Sequence, residues 1–571
     1  MHRFPSLLLV VILLATVAWA CGGGGEKEEQ PTLSPTGEGP SPTVETPSPT
    51  GEQPPPTTAK PSPTGTLTVA AAMISVAGDL GPFTTAAVTA RTYWAYIFDY
   101  LVYETRDQSG YIPGLAEEWH VSPDRTSVTF KLRKGVQFHN GWGELTADDV
   151  KFTFESAVNP DISAWAEAQT LFGATIDRIE VTGRYELTIY TKGAFAEEVL
   201  YYVCPTHQLA LGIMPKAYYD KVGFEKGNEN PIGSGPYKLV EYKQAERLVL
   251  EAVADHWRAV PEFKTLIFKE VPELSTRSAM IRAGEADIAE VSVEEAANLQ
   301  GRGIDIVRMP DVTYMSAPLL GQWLPSAPTY DPDCPFLDKR VREALNLAIN
   351  REEIAQHIYS GFARPVAGVR YTPWGDLLQP YPYDPDRAKQ LLKDAGYEKG
   401  FKMQMWILAM PASLDTTSLM MAVAGYWEKI GVDVEISSFN VMAKYGLIVG
   451  RKTTGVCISF TAEKLLAPYA KAYAMWGYSK SSRFPQFESE ATDAMIDKFL
   501  AATTPEERDG IAEQITRYYY DEYTFVPLVA VDMTWATSDK IGNFRPTMAR
   551  YLNLEYVTHA KALGTFKLFE P

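Results

Sequence analysis

The sequence predicts an α/β fold carried on an N-terminal arm that is not globular. Three observations point to it. Met403, Met405 and Ile407 alternate as a strand, Leu419, Val423, Tyr426 and Ile430 recur at helical spacing up to Gly431, and Val432, Val434 and Ile436 alternate again. Strand, helix and strand in that order form the repeating unit of α/β proteins. Val128, Phe130 and Leu132 mark an earlier strand with one buried face. From Thr66 to Pro571 the composition is that of a globular protein, with 46% hydrophobic and 22% charged residues over the whole chain. Roughly five hundred residues is length for two or three domains.

The arm comes first. Met1-His2-Arg3 is a short basic start, Leu7 to Leu14 is an unbroken apolar run, and Ala18-Trp19-Ala20 places small residues where a signal peptidase reads. Residues 1–20 are therefore expected to be a secretory signal. The run to Ala20 is shorter than the ~20 residues a helix needs to cross a bilayer. Cys21, followed by four glycines, resembles the lipobox cysteine of bacterial lipoproteins. That resemblance implies acylation of Cys21 and a lipid anchor, although Ala18 stands where the family usually carries Leu and Trp19 where it carries a small residue. The other reading is an ordinary cleaved signal.

Beyond Cys21, Ser-Pro-Thr recurs at Ser34, Ser41, Ser48 and Ser62, with Pro55-Pro56-Thr57 in the same register. Residues 21–65 thus form a Pro/Thr/Ser/Gly linker, too polar to offset its chain entropy by burial. At ~3.1 Å per residue it would reach on the order of 120 Å when extended.

Lys+Arg 53 against Asp+Glu 71 gives a net charge of −18. That balance argues against nucleic acid or an anionic lipid surface as partner, because both need a basic footprint. Cys204, Cys334 and Cys457 are far apart and odd in number, so no disulfide framework is written, though a single bridge stays open. Cys204 and His207 have a spacing that metals use, but one such pair alone does not make a site, and no metal is assigned.

Within the globular part, Leu67, Val69 and Ala71 read as the opening strand. Thr146 and Asp149 make a capping-box-like pair ahead of a helix with Val150, Phe154 and Ala157 on one face. Asn230-Pro231-Ile232-Gly233-Ser234-Gly235-Pro236-Tyr237 lacks the Gly-Lys-Ser/Thr ending of a phosphate loop and reads as a turn into a hairpin. Val341, Ala344, Leu345 and Ala348 share a helix face, and Asn350 can cap the next helix. Asp384-Pro385 opens another helix, which ends before Gly396.

These segments also carry a resemblance. Pro113 to Trp119, Ser122-Pro123-Asp124, Phe130 to Phe138, Asn140-Gly141 and Leu145 to Val150 follow one another in the order of the family 5 extracellular solute-binding proteins of ABC importers. Asn230–Tyr237, with Ser234 in place of Thr, Arg340–Arg351 and Asp384–Gly396 extend the likeness. The resemblance implies a two-lobed periplasmic-binding-protein-like fold with an enlarged first lobe and a ligand cleft between lobes. It also implies two chain crossings, expected near Arg308–Tyr314 and Tyr523–Pro527. Lobe one would then be residues 66–310 and 525–571, and lobe two 311–524.

The function implied is capture of a solute outside the cytoplasm by a monomer and its delivery to ABC permease subunits. Oligopeptides are the first expectation, oligosaccharides the second and nickel chelates the third. Peptide-binding relatives hold the ligand's ammonium with an aspartate in a segment that Ser459–Pro468 resembles, which puts Glu463 near the aspartate's place. The other reading of Glu463 is a solvated helix-end carboxylate. Trp94, Trp323, Trp374, Trp476 and Trp535 are candidate cleft aromatics, each of which packing alone would also explain. The sequence shows no His-Glu-x-x-His and no Gly-x-Ser-x-Gly. No enzyme activity and no cofactor are expected. A secreted hydrolase with carboxylates far apart in sequence is the alternative.

Overall fold

The computed structural model describes residues 62–560 apart from 73, 75–79, 81–90, 106–109, 164–171, 174, 194–195, 206–209, 301–303, 322, 328, 369–377, 410–415, 441–443, 445, 449–450, 464–476, 481–486 and 547–550. Strand β1 (Thr64–Ala71) places Leu67 and Val69 in one hydrophobic core and Ala70 in another on the opposite face. Burial on both faces marks a central parallel strand, which the reading of simple alternation did not anticipate. Helix α1 (Arg91–Ile97) packs its aromatic residues in the first of these cores.

Strands β2 (Ala116–Val121), β3 (Ser127–Leu132), β4 (Ile176–Gly183) and β5 (Glu186–Thr191) form an antiparallel sheet in the order β2-β3-β5-β4. Val128, Phe130 and Leu132 of β3 are buried, as the alternation requires. Helix α2 (Ala147–Val158) begins at the expected capping box: the Thr146 N–H and hydroxyl both donate to Asp149 Oδ2, at 2.9 and 3.0 Å. Asp149 Oδ1 accepts in turn from the Lys216 N–H at 2.9 Å.

The glycine-rich segment leads into a hairpin, β6 (Tyr237–Lys243) with β7 (Arg247–Ala252). Its glycines are needed because the end of α1 passes alongside. A Cβ on Gly233 would overlap the Ile97 carbonyl, and one on Gly235 would lie 2.5 Å from the Tyr96 carbonyl oxygen. Beside this turn Asp99 is wholly buried and accepts from Trp257 Nε1 at 2.7 Å, Tyr103 at 3.0 Å and Arg258 at 3.4 Å, with His256 Nε2 at 3.1 Å. Burial alone would raise its pKa, but His256, Arg258 and Trp257 together hold the carboxyl well below the usual range.

Nine further strands extend the architecture. They are β8 (Phe263–Glu270), β9 (Ile288–Val291), β10 (Asp305–Ser316), β11 (Ala363–Pro365), β12 (Phe401–Ala409), β13 (Val432–Asn440), β14 (Val456–Ile458), β15 (Phe460–Glu463) and β16 (Pro527–Thr537). The large sheet runs β15-β10-β16-β9-β1-β8-β7-β6, with β11 also paired to β16. A second sheet orders Leu319–Leu320, β14, β12 and β13. Helices α3 (Lys339–Leu347), α4 (Arg351–His357), α5 (Pro385–Asp394) and α6 (Thr416–Glu428) belong with it. β12 and β13 are parallel and joined through α6, so the strand–helix–strand reading holds.

Two main cores result. One gathers β1, α1, β2 to β8 and Leu552 to Val557; the other gathers α3 to α6, the second sheet and Ile496 to Val531. Strands β10 and β16, antiparallel to each other, pass between them. On β10, Val312 still packs with the first core and Met315 with the second. On β16, Val531 packs with the second core and Met533 against the first, so core membership changes at Asp532, further along the chain than the expected Tyr523–Pro527. Cys334 and Cys457 are buried free thiols, and Cys204 is buried as well. Among the described residues no helix is long and apolar enough to cross a membrane.

Candidate functional site

In an open sheet with parallel strands, ligands bind beyond the carboxyl ends of those strands. Here β1, β8 and β9 are the parallel strands, and their ends carry Ala71, Glu270 and Glu290. Ala71 pairs with Glu270, and Glu290 follows the Ala70–Ala289 pair. Glu290 stands directly opposite Trp535 of β16, which on its other side stands opposite Val307 of β10. Directly opposed residues share a face. The row from Glu270 to Val307 therefore lies on the face of the sheet that carries α1, and it ends beside the strands that pass between the cores.

Charged and polar groups line this row. The Glu270 carboxylate accepts from the Ile74 N–H at 3.0 Å, and Arg277 lies 3.9 Å from Glu290. Tyr93 is buried nearby; burial first, then the charges of Glu270 and Glu290, push its phenol far up and keep it neutral. Trp535 is 5% exposed, and its indole Nε1 has no hydrogen-bond partner among the described residues. A buried donor left unpaired costs free energy, and a solute acceptor would satisfy it.

The sequence candidates fall in different places. Trp94 is 3% exposed on α1 and donates its indole N–H to the Leu80 carbonyl at 2.8 Å, in the same core as Trp535. Trp323 is 7% exposed in the second core, packed against Phe487 at 5.2 Å between ring centroids, with the Arg342 guanidinium 5.9 Å from its own ring. Glu463 is the last residue of β15 and stands opposite Thr313 of β10 in the ladder. Its backbone thus borders the crossing, on the same sheet as Trp535. Trp374, Trp476 and Cys21 lie outside the described residues, as does the side chain of Glu463. His207 is outside them too, and among the described residues no three His, Cys, Asp or Glu side chains converge as a metal site.

A second group of charges was not singled out from the sequence. Asp532, with its side chain 3% exposed, accepts from the Asp311 N–H at 3.1 Å and pairs with Arg308. Arg364 Nε donates to both Asp311 oxygens at 2.9 Å. Burial raises the Asp532 pKa against the lowering effect of the Asp311 N–H and Arg308. The bonded partners are 53 to 224 positions apart, so no local signal joins them.

Two cores joined by a pair of antiparallel strands, with polar groups at the strand ends beside the junction, define the class of two-lobed solute-binding proteins. Comparison with known proteins agrees. Residues 110–477 match the model for bacterial extracellular solute-binding proteins, family 5. The chain is 32% identical over 355 residues to the dipeptide-binding protein of Escherichia coli K12, covering 58% of this chain and 63% of that one. It is 26% identical over 450 residues to a glutathione-binding protein of Salmonella choleraesuis, covering 75% and 82%. The solved dipeptide-binding protein of Pseudoalteromonas sp. SM9913 in complex with Met-Leu superimposes with a TM-score of 0.70 at 22% identity, over 86% of this chain and all of that one. The chain belongs to family 5 of the bacterial extracellular solute-binding proteins, and its place of work is outside the cytoplasm.

Proposed function

We propose that the protein captures a peptide-like solute between its lobes and delivers it to the permease of an ABC importer. The observation that carries this is the row Glu270, Glu290 and Trp535 at the carboxyl ends of the parallel strands, beside the crossing that Glu463 borders. Carboxylates suit a peptide ammonium, and the indole N–H, which has no partner among the described residues, suits a peptide carbonyl. The relatives named for dipeptide and glutathione support the same ligand class.

In this reading lobe one is residues 66–312 with the chain beyond Asp532, and lobe two is 313–531. Closure of the lobes buries the ligand and offers one composite surface to the permease. The protein acts as a monomer, binds without turnover, and is held at the membrane through acylated Cys21 and the 21–65 linker. The test is mass spectrometry of solutes that co-purify with the native protein, followed by titration of the peptides found. Saturable binding with a raised melting temperature supports the reading, since a ligand bound only by the native state stabilises it. Time-dependent cleavage of a bound peptide or sugar would replace it with the hydrolase.

A further inference from the structure

The pairing of β10 with β16 breaks at one place. Met309 faces Met533 and Thr313 faces Val531, so Pro310, Asp311 and Val312 stand against the single residue Asp532. The other side of β16 is interrupted at the same point, because pairing with β9 ends at Thr534 and pairing with β11 begins at Val531. Between these ladders Asp532 donates its N–H to the Phe362 carbonyl at 2.9 Å. Asp532 is also where β16 changes core.

What replaces the missing ladder is side-chain chemistry. Pro310 has no N–H to offer. Asp311 holds a left-handed φ of +58°, which costs a residue with a Cβ and persists only where the surroundings hold it. Two groups hold it: Asp532 accepts its N–H, and Arg364 on β11 binds its carboxylate. Arg308, on the first-core side of the break, pairs with Asp532, donates to the Gly361 carbonyl at 3.2 Å and lies 4.9 Å from the Phe362 ring. The cluster therefore ties backbone from both sides of the crossing at the place where both strands have the fewest ladder bonds.

We propose that Asp532 is a positioning residue for solute capture: its carboxylate, with Arg308, holds the bulged crossing and so sets the balance between lobe arrangements. Bulges bend strands, and hinges are a few residues in loops or at the ends of elements that absorb the backbone change, a place that Asp532 shares by lying between two ladder ends. A side chain bonded to both sides at that place biases which arrangement is populated. This rests on the solute-capture reading for its consequence in binding, but not for its geometry.

The test uses the full chain with Cys21→Ser and nitroxide labels at Lys226→Cys and Lys389→Cys, exposed sites on either side of the crossing. Inter-label distances are measured without ligand by double electron–electron resonance. Asp532→Asn keeps an acceptor for the Asp311 N–H but removes the charge, and Arg308→Gln removes the partner from a half-exposed position, a second variant that carries the test where the first does not fold. We expect both to shift the distances to longer values while the melting temperature stays within about 5 °C of the parent. Affinity for the dipeptide Met-Leu should fall about fivefold or more in parallel, as a population shift requires. Distances unchanged in both variants overturn the inference, whatever the peptide does. Shifted distances with unchanged Met-Leu affinity overturn the role in capture. Failure of the parent to bind Met-Leu counts against that ligand alone, and the distances still decide the role of Asp532.

Discussion

Arg351 donates its Nε–H to the Pro527 carbonyl at 2.6 Å, across 176 residues of sequence. The same guanidinium bonds the Asn346 carbonyl at 3.0 Å and Asn346 Oδ1 at 2.9 Å, and Asn346 Nδ2 donates to the Phe525 carbonyl at 3.0 Å. Together they fasten the start of β16 to the helices of the second core, so the return strand leaves that core from a fixed point. Burial lowers the Arg351 pKa to about 10, still well above neutrality, and the group is charged under physiological conditions.

Replacing Arg351 with methionine is therefore expected to leave several carbonyls unpaired. Hydrogen bonds to a charged group contribute about 1.5–3 kcal/mol each, and a loss of about 3 kcal/mol or more is expected in urea unfolding. Arg351→Lys should recover only part of it, because an ammonium cannot reproduce the planar fork. A methionine variant as stable as the parent would show that the bonds contribute little.

The second prediction concerns pH. Burial, against the pull of the Gly235 carbonyl, lowers His139 to about 4 in the folded protein, where its Nε2 lies 2.8 Å from that carbonyl. The unfolded chain takes up this proton near pH 6.5. Between these values the unfolded state binds more protons, so stability falls as pH drops from about 6.5 to about 4, by roughly 3 kcal/mol. Asp99, held low, loses its contribution only at more acid pH. His139→Gln should flatten the urea midpoint across this window; an unaltered slope would show that other groups govern it.

Third, Gly235→Ala should strain the turn against α1. Its Cβ would meet the Tyr96 carbonyl oxygen at 2.5 Å, in backbone that cannot move without shifting Asp99 and its partners. Overpacking of this kind costs about 1–3 kcal/mol, measurable as a lower melting temperature.

Fourth, if Glu463 accepts a ligand's ammonium, Glu463→Gln should weaken cationic peptides by roughly ten- to a hundredfold, the equivalent of about 1.5–3 kcal/mol. Neutral sugars should be unaffected. Isothermal titration of both ligand types checks this, and equal peptide affinity in parent and variant would leave Glu463 as a surface carboxylate.

Fifth, Cys21→Ser should release the protein from membranes. Detergent phase partitioning reads the outcome, and unchanged membrane association in the variant would rule the lipid anchor out.

Much of the fold was legible because its causes are local. The Thr146–Asp149 capping box, the alternation of Val128, Phe130 and Leu132, and the glycine after the Leu419–Ile430 helix each follow from spacing within a few residues. Family-like order along Pro113–Val150 and Arg340–Arg351 pointed to the class for the same reason, since runs of side chains that shape neighbouring backbone keep their sequence spacing. The tertiary structure alone decided which ends meet. Asp532 finds Arg308 and Asp311 across more than 220 residues, and Trp535 comes to stand opposite Glu290 and Val307 only when β16 inserts between β9 and β10. Ladder register and the burial of charge depend on strands brought together from distant parts of the chain, and no local pattern encodes the partner of a strand or of a buried carboxylate.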